Sequence, residues 1–141
     1  MKNLPGISED DLRLLSKLLD RLESTSAPDR KETIEKRTRK PDWSRNAPEQ
    51  VEAAHRQIEL AHKGTTFSKF RKELGDSFPH GIRDDLGILL KVVESALEDQ
   101  RQYGTWPPPY FATRVGIVLR KAKRFDLSKR FEAAYAKHVV T

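Results

Sequence analysis

Tyr110-Phe111-Ala112-Thr113-Arg114-Val115-Gly116-Ile117-Val118-Leu119-Arg120-Lys121-Ala122-Lys123 and, after Arg124-Phe125, Asp126-Leu127-Ser128-Lys129-Arg130-Phe131-Glu132-Ala133-Ala134-Tyr135 read as two short helices folded back on one another. In the first, Phe111, Val115, Val118 and Ala122 recur at the three- and four-residue spacing that lines up one helix face. In the second, Leu127, Phe131, Ala134 and Tyr135 form another. The pattern predicts helices over 110–123 and 126–139, with Asp126 as the cap of the second. A glycine in a helix interior costs about 1 kcal/mol relative to alanine, so Gly116 implies a packing reason. Ser128 is also small, and together the two would let the helices approach closely.

The same stretch holds the excess charge of the chain. Residues 111–141 carry Arg114, Arg120, Lys121, Lys123, Arg124, Lys129, Arg130 and Lys137 against Asp126 and Glu132, a net of +6 that equals the net charge of all 141 residues. Arg114, Lys121 and Arg124 share a face if the first helix extends that far. Arg120, Lys123 and Arg124 gather at its end, where the helix dipole favours cations. Such a surface suits an acidic partner; the bland alternative is a solvated face that keeps the chain in solution.

Working toward the N-terminus, Thr105-Trp106-Pro107-Pro108-Pro109 is a stiff extended connector, because each proline pushes its predecessor away from helical angles. It reads as a spacer whose aromatics staple it to the core, in preference to a ligand for a groove that reads extended proline runs. A long helix is expected over 82–103, ended by Gly104. Its stripe of Ile82, Leu86, Leu89, Val93, Ala96 and Leu97, widened by Ile88, Leu90 and Val92, marks it as the central helix. A short helix from Thr66 buries Phe67, Phe70 and Leu74, and another runs from Pro48 to Gly64 with Val51, Ala54, Ile58 and Ala61 on one face. Residues 24–48 are punctuated by Pro28, Pro41 and Pro48 and too poor in apolar side chains to order alone. They read as an irregular basic linker whose Arg37, Arg39, Lys40 and Trp43 join the candidate binding set. At the N-terminus, Ser8 caps a helix to about Glu23 with Glu9, Asp10 and Asp11 in its first turn. Its leucine seam, Leu12, Leu15, Leu19 and Leu22 widened by Leu14 and Leu18, docks on the chain's own core in preference to a dimerising coiled coil, which needs more heptads.

The segment Val115-Gly116-Ile117-Val118-Leu119-Arg120-Lys121-Ala122-Lys123-Arg124-Phe125-Asp126-Leu127-Ser128 resembles one tetratricopeptide repeat. The small Gly116 precedes the small Ser128 by twelve positions, as in that family, and Phe125 and Asp126 follow the turn as they do there. Lys123 stands where the family often has a turn glycine, and Phe131 and Ala134 arrive one position early. The resemblance spans about residues 110–140 and implies helical-hairpin architecture and a protein-binding role.

Chemistry is harder to find. With no cysteine, thiolate catalysis, disulfides and zinc–cysteine sites are all excluded. His55, Glu59 and His62 have a spacing that could hold a metal, but no fourth ligand or HExxH pattern accompanies them. Asp84-Asp85 and Glu98-Asp99 are adjacent on helices and diverge, which suits helix starts and solvent-facing charge better than acid–base work. No apolar run approaches the length of a membrane span.

The sequence therefore describes an all-α protein: a small bundle of about six helices built from helical hairpins, divided as an N-terminal amphipathic helix (1–23), a basic linker (24–48) and a helical domain (49–141). The expected function is a non-enzymatic, cytoplasmic interaction module without cofactor. It would bind an acidic protein through Arg114, Arg120, Lys121, Lys123, Arg124, Lys129 and Arg130. Sequence-tolerant nucleic-acid binding through the same cations is the alternative, and dimerisation through 12–22 a further one.

Overall fold

The computed structural model describes residues 7–38, 55, 66–75, 78 and 80–140. Helix α1 spans Glu9–Ser24, and its cap forms as expected: the Ser8 hydroxyl accepts from the Asp11 N–H at 3.1 Å. Of the leucine seam, Leu15, Leu18, Leu19 and Leu22 are buried. Leu12 is only half-buried and Leu14 lies at the surface, because the face centred on Leu18–Leu19 points inward.

The segment read as irregular contains a nine-residue helix, α2, Arg30–Thr38. Asp29 starts it: its carboxylate accepts from the Glu32 N–H at 2.8 Å, and its carbonyl accepts from the buried Thr33 hydroxyl at 2.8 Å. The helix is held by polar contacts to a neighbour, not by an apolar stripe, which is why hydrophobic periodicity does not reveal it. Helix α3 is Thr66–Leu74, with Phe70 and Leu74 packed on the core. The expected helix over 48–64 lies outside the described residues, apart from His55, which is helical and exposed.

Helix α4, Leu86–Tyr103, begins four residues later than its apolar pattern suggests. Asp85 caps it by accepting from the Ile88 N–H, and buried Ile82 sits in a preceding 3₁₀ turn, His80–Ile82. Gly104 closes α4 with φ +79°, a left-handed conformation that costs other residues energy. Helix α5 is Pro109–Lys121, with proline at a position where no N–H is required, and α6 is Phe125–His138. Arg124, not Asp126, occupies the cap position of α6, and Asp126 lies in its first turn.

The fold is all-α. Helix α4 packs on α1, α2, α3 and α5, while α6 packs on α5 and α1, so α1, α4, α5 and α6 close a ring around one core. Leu19, Leu89, Val92, Val115, Leu119 and Phe131 are its most enclosed apolar side chains, and Phe78 stacks on Phe111 at 5.4 Å to seal one side. Helix α2 lies across the end where α4 stops. No described helix is long and apolar enough to cross a membrane.

Within the final hairpin, Gly116 and Ser128 do meet: the Ser128 hydroxyl donates to the Gly116 carbonyl at 3.4 Å. A β-carbon at Gly116 would stand 3.2 Å from both Arg120 Nη1 and Glu132 Oε1, so glycine makes room for an interhelical ion pair.

Candidate interaction surface at the last interhelical turn

The turn between α5 and α6 is closed by two backbone hydrogen bonds. The Arg124 N–H donates to Leu119 at 2.8 Å and the Lys123 N–H to Arg120 at 2.9 Å, the six-to-one and five-to-two pair of a Schellman motif. The residue between them must be left-handed, and Lys123 has φ +60°. A lysine in the position that favours glycine pushes its side chain outward at the apex of the turn. Phe125 follows at once and is 56% exposed, beside Arg124 and one helical turn from Lys129.

The structure divides the cations singled out by the sequence. Arg114 is held by the Asp84 carboxylate at 2.8 Å and the Arg83 carbonyl at 3.0 Å; Lys121 also reaches Asp84, at 3.6 Å. Arg120 pairs with Glu132 at 2.9 Å across the hairpin. Arg130 points away to α1, where it meets Glu23 at 2.6 Å and Asp20 at 3.2 Å. That hydrogen bond holds the Glu23 carboxyl below its usual range, against the opposing effect of desolvation, and raises Arg130 further. Arg37 is spent on backbone, donating to the carbonyls of Gly104 at 2.7 Å and Val140 at 2.9 Å. Arg39, Lys40 and Trp43 lie outside the described residues. Lys123, Arg124 and Lys129 remain, exposed and with no acidic partner among the described residues. The single basic face expected from 114 to 130 is thus reduced to the cluster at the turn, because carboxylates from α1, α6 and the 83–85 loop neutralise the rest.

Two aromatics are exposed: Phe125, which the sequence pattern does not mark as a surface anchor, and Trp106, whose favoured reading is a staple to the core. Phe125 sits outside the Phe131–Ala134 stripe of α6, and that lack of helical register is the signal that would have found it. Trp106 is 56% exposed, so it does not staple the proline connector to the core. Buried Pro107 does that, with half-buried Tyr110, whose ring meets Phe111 edge-on at 5.3 Å.

The paired carboxylates have structural work. Asp85 caps α4, Asp84 binds Arg114, and Glu98 meets Arg21 at 3.4 Å. Asp99 is buried, contrary to the solvent-facing role expected of it. Among the described residues no group of three or more histidine or acidic side chains is arranged to hold a metal. The chain matches no protein-family model, no curated protein and no solved structure.

The other concentrated polar feature is a buried knot near the C-terminus. His138 is 1% exposed; its Nε2 faces the Leu22 carbonyl at 2.6 Å and its Nδ1 the Arg101 guanidinium at 2.8 Å. A carbonyl requires a donor and a guanidinium requires an acceptor, so the ring is neutral with its proton on Nε2. Desolvation lowers its pKa, aided by the charges of Arg101 and Lys137 and opposed by the Leu22 bond. Gln100 clamps the same segment, donating to the His138 carbonyl at 2.6 Å and accepting from the Val140 N–H at 2.9 Å. Every group here has an internal partner, and the arrangement is structural.

Proposed function

We propose that this protein is a non-enzymatic interaction module that docks on an acidic protein through the α5–α6 turn. The carrying observation is Phe125, an exposed aromatic ring set among Lys123, Arg124 and Lys129, whose charges have no acidic partner among the described residues. An aromatic anchor surrounded by charges able to pair is the composition of an interface hot spot. The hydrogen-bonded turn fixes the geometry before binding, so little ordering entropy is lost. The absence of cysteine fits a cytoplasmic setting.

Nucleic acid through these cations is the weaker reading. The steep salt dependence of charge-driven duplex binding goes with about 6–10 phosphate contacts. Three unpaired cations at one turn fall short of that number, and Asp126 adds a carboxylate beside them.

Affinity capture with wild-type protein and with a Lys123→Glu/Arg124→Glu/Lys129→Glu variant tests the reading. The expected result is an acidic protein retained by the first and lost by the second, with Phe125→Ala also weakening it. Equal retention by both would sink it. Titration with single-stranded and duplex nucleic acid at low and high salt addresses the rival, whose mark is steep salt dependence.

A further inference from the structure

The α5–α6 turn is not the one place where unpaired cations surround apolar surface. On the opposite side of the ring, α1 and α4 lie against each other and leave a furrow between them. One depression of about 200 Å³ has Leu18 and Leu90 among its walls, with Leu14 at its lip and Lys17 and Lys91 on either side. It continues past Arg21 and Glu94 into a second depression of about 480 Å³, bounded by Phe70 and Lys69 of α3. Leu14 is 36% exposed, an apolar side chain turned out of a helix whose other core leucines are enclosed.

The furrow carries both signs with a positive balance: Lys17, Arg21, Lys69 and Lys91 against Glu94 and Glu98, a net of +2. Its carboxylates, Glu94 and Glu98, are both engaged by Arg21, at 3.1 and 3.4 Å. Lys17, Lys69 and Lys91 have no acidic partner among the described residues. The net charge along the rim is therefore positive, beside the open apolar surface of Leu14 and Phe70 with buried Leu18 and Leu90 beneath. Leu14, Lys17, Leu18 and Arg21 fall at i, i+3, i+4 and i+7 of α1, and Leu90, Lys91, Glu94 and Glu98 form the facing strip of α4. Each strip runs about 10–12 Å at 1.5 Å per residue, the length of two helical turns.

We infer that this furrow is a second binding site, and that its occupant is an acidic amphipathic helix of a partner protein. Apolar residues of that helix pack on Leu14 and Phe70 above the buried Leu18 and Leu90, while its flanking carboxylates reach Lys17, Lys91 and Lys69. A helix laid between two helices satisfies its own backbone, so the furrow need supply only apolar contact and counter-charge. The inference rests on α1, α3 and α4 and is independent of the reading of the α5–α6 turn.

The test uses the full chain, isotopically labelled, titrated with a designed helical peptide bearing leucines on one face and glutamates beside them. A twin peptide with lysines for the glutamates is the control. The expected result is movement of the amide resonances of Leu14, Lys17, Leu90 and Lys91, at least tenfold weaker binding by Lys17→Glu/Lys91→Glu, and no binding of the twin. Leu14→Ser, at an exposed position, should weaken binding without changing the fold, whereas Lys123→Glu/Arg124→Glu should leave it unchanged. Failure of the glutamate peptide to bind in the millimolar range would overturn the inference. So would resonance changes confined to the α5–α6 turn, or tighter binding of a single-stranded nucleic acid by the same lysines.

Discussion

Two basic clusters of this chain, Lys36 with Arg37 and Lys123 with Arg124 and Lys129, look alike as strings of lysine and arginine, and they meet opposite fates. In the first, Lys36 donates to the Arg101 carbonyl at 2.9 Å and Arg37 to the Gly104 carbonyl at 2.7 Å. Both acceptors lie at the C-terminal end of α4, where helix carbonyls lack internal partners and the dipole is negative. In the second, Lys123, Arg124 and Lys129 stand at a turn where the Leu119 and Arg120 carbonyls are already taken by the Schellman bonds, and their side chains have no acceptor among the described residues. A count of positive charge therefore does not measure the charge available to a partner. What decides it is whether an orphan carbonyl or a neighbouring carboxylate lies within reach.

This contrast can be broken most severely at Gly104. Its φ is +79°, and a β-carbon there would come 2.7 Å from the Arg37 nitrogen and 2.8 Å from the Thr33 carbonyl oxygen, both backbone atoms that cannot swing aside. Gly104→Ala should cost about 3 kcal/mol or more, from left-handed strain and displacement of α2 together. Urea unfolding measures the loss, and hydrogen exchange over 30–38 should show α2 released. Unchanged protection there would mean that the inward cations do not depend on this close approach.

The C-terminal knot comes next. His138→Ala leaves the Leu22 carbonyl and the Arg101 guanidinium short of a partner, with an expected cost of about 2–3 kcal/mol. The wild-type protein should also be pH-sensitive here. The folded pKa of His138 lies below the usual 6.5, so the unfolded chain takes up its proton first. Stability is then full above that value, declines as pH falls through it, and levels off once the folded ring protonates as well. His138→Gln should flatten that decline. The separate loss from Glu23, whose folded pKa is depressed, belongs to more acidic pH, below the usual carboxylate value of 4.5.

Arg37→Ala removes one inward cation and should cost about 1–2 kcal/mol, since the carbonyls of buried Gly104 and Val140 lose their donor. The triple glutamate variant at Lys123, Arg124 and Lys129 should leave thermal stability within roughly 0.5 kcal/mol of wild type, as expected of unpaired surface groups. Comparable losses from the two would erase the distinction between them. Lys123→Gly should stabilise by about 1 kcal/mol by relieving the left-handed lysine. The smallest effect is expected at Trp106: with its ring exposed, Trp106→Ala should change stability by less than about 0.5 kcal/mol, readable in the same unfolding curves.

Local pattern alone determined the all-helical class, the centrality of α4 and the α5–α6 hairpin, through apolar periodicity, and the cap at Ser8, through the acids that follow it. These are local properties: a stripe of leucines or a serine before three acids acts within one or two turns of chain. The helix α2 was less legible because its stability comes from Thr33, Lys36 and Arg37 meeting the end of α4, although Asp29 followed three residues later by Glu32 is a start signal of the ordinary kind. What only the tertiary structure decided is which charges remain available. Arg130 meets Glu23 and Asp20 across more than a hundred residues of chain, and Arg114 meets Asp84 across thirty. Ion pairing depends on distances of a few ångströms between elements that sequence order does not place, so the same run of cations reads alike whether folding neutralises it or leaves it free.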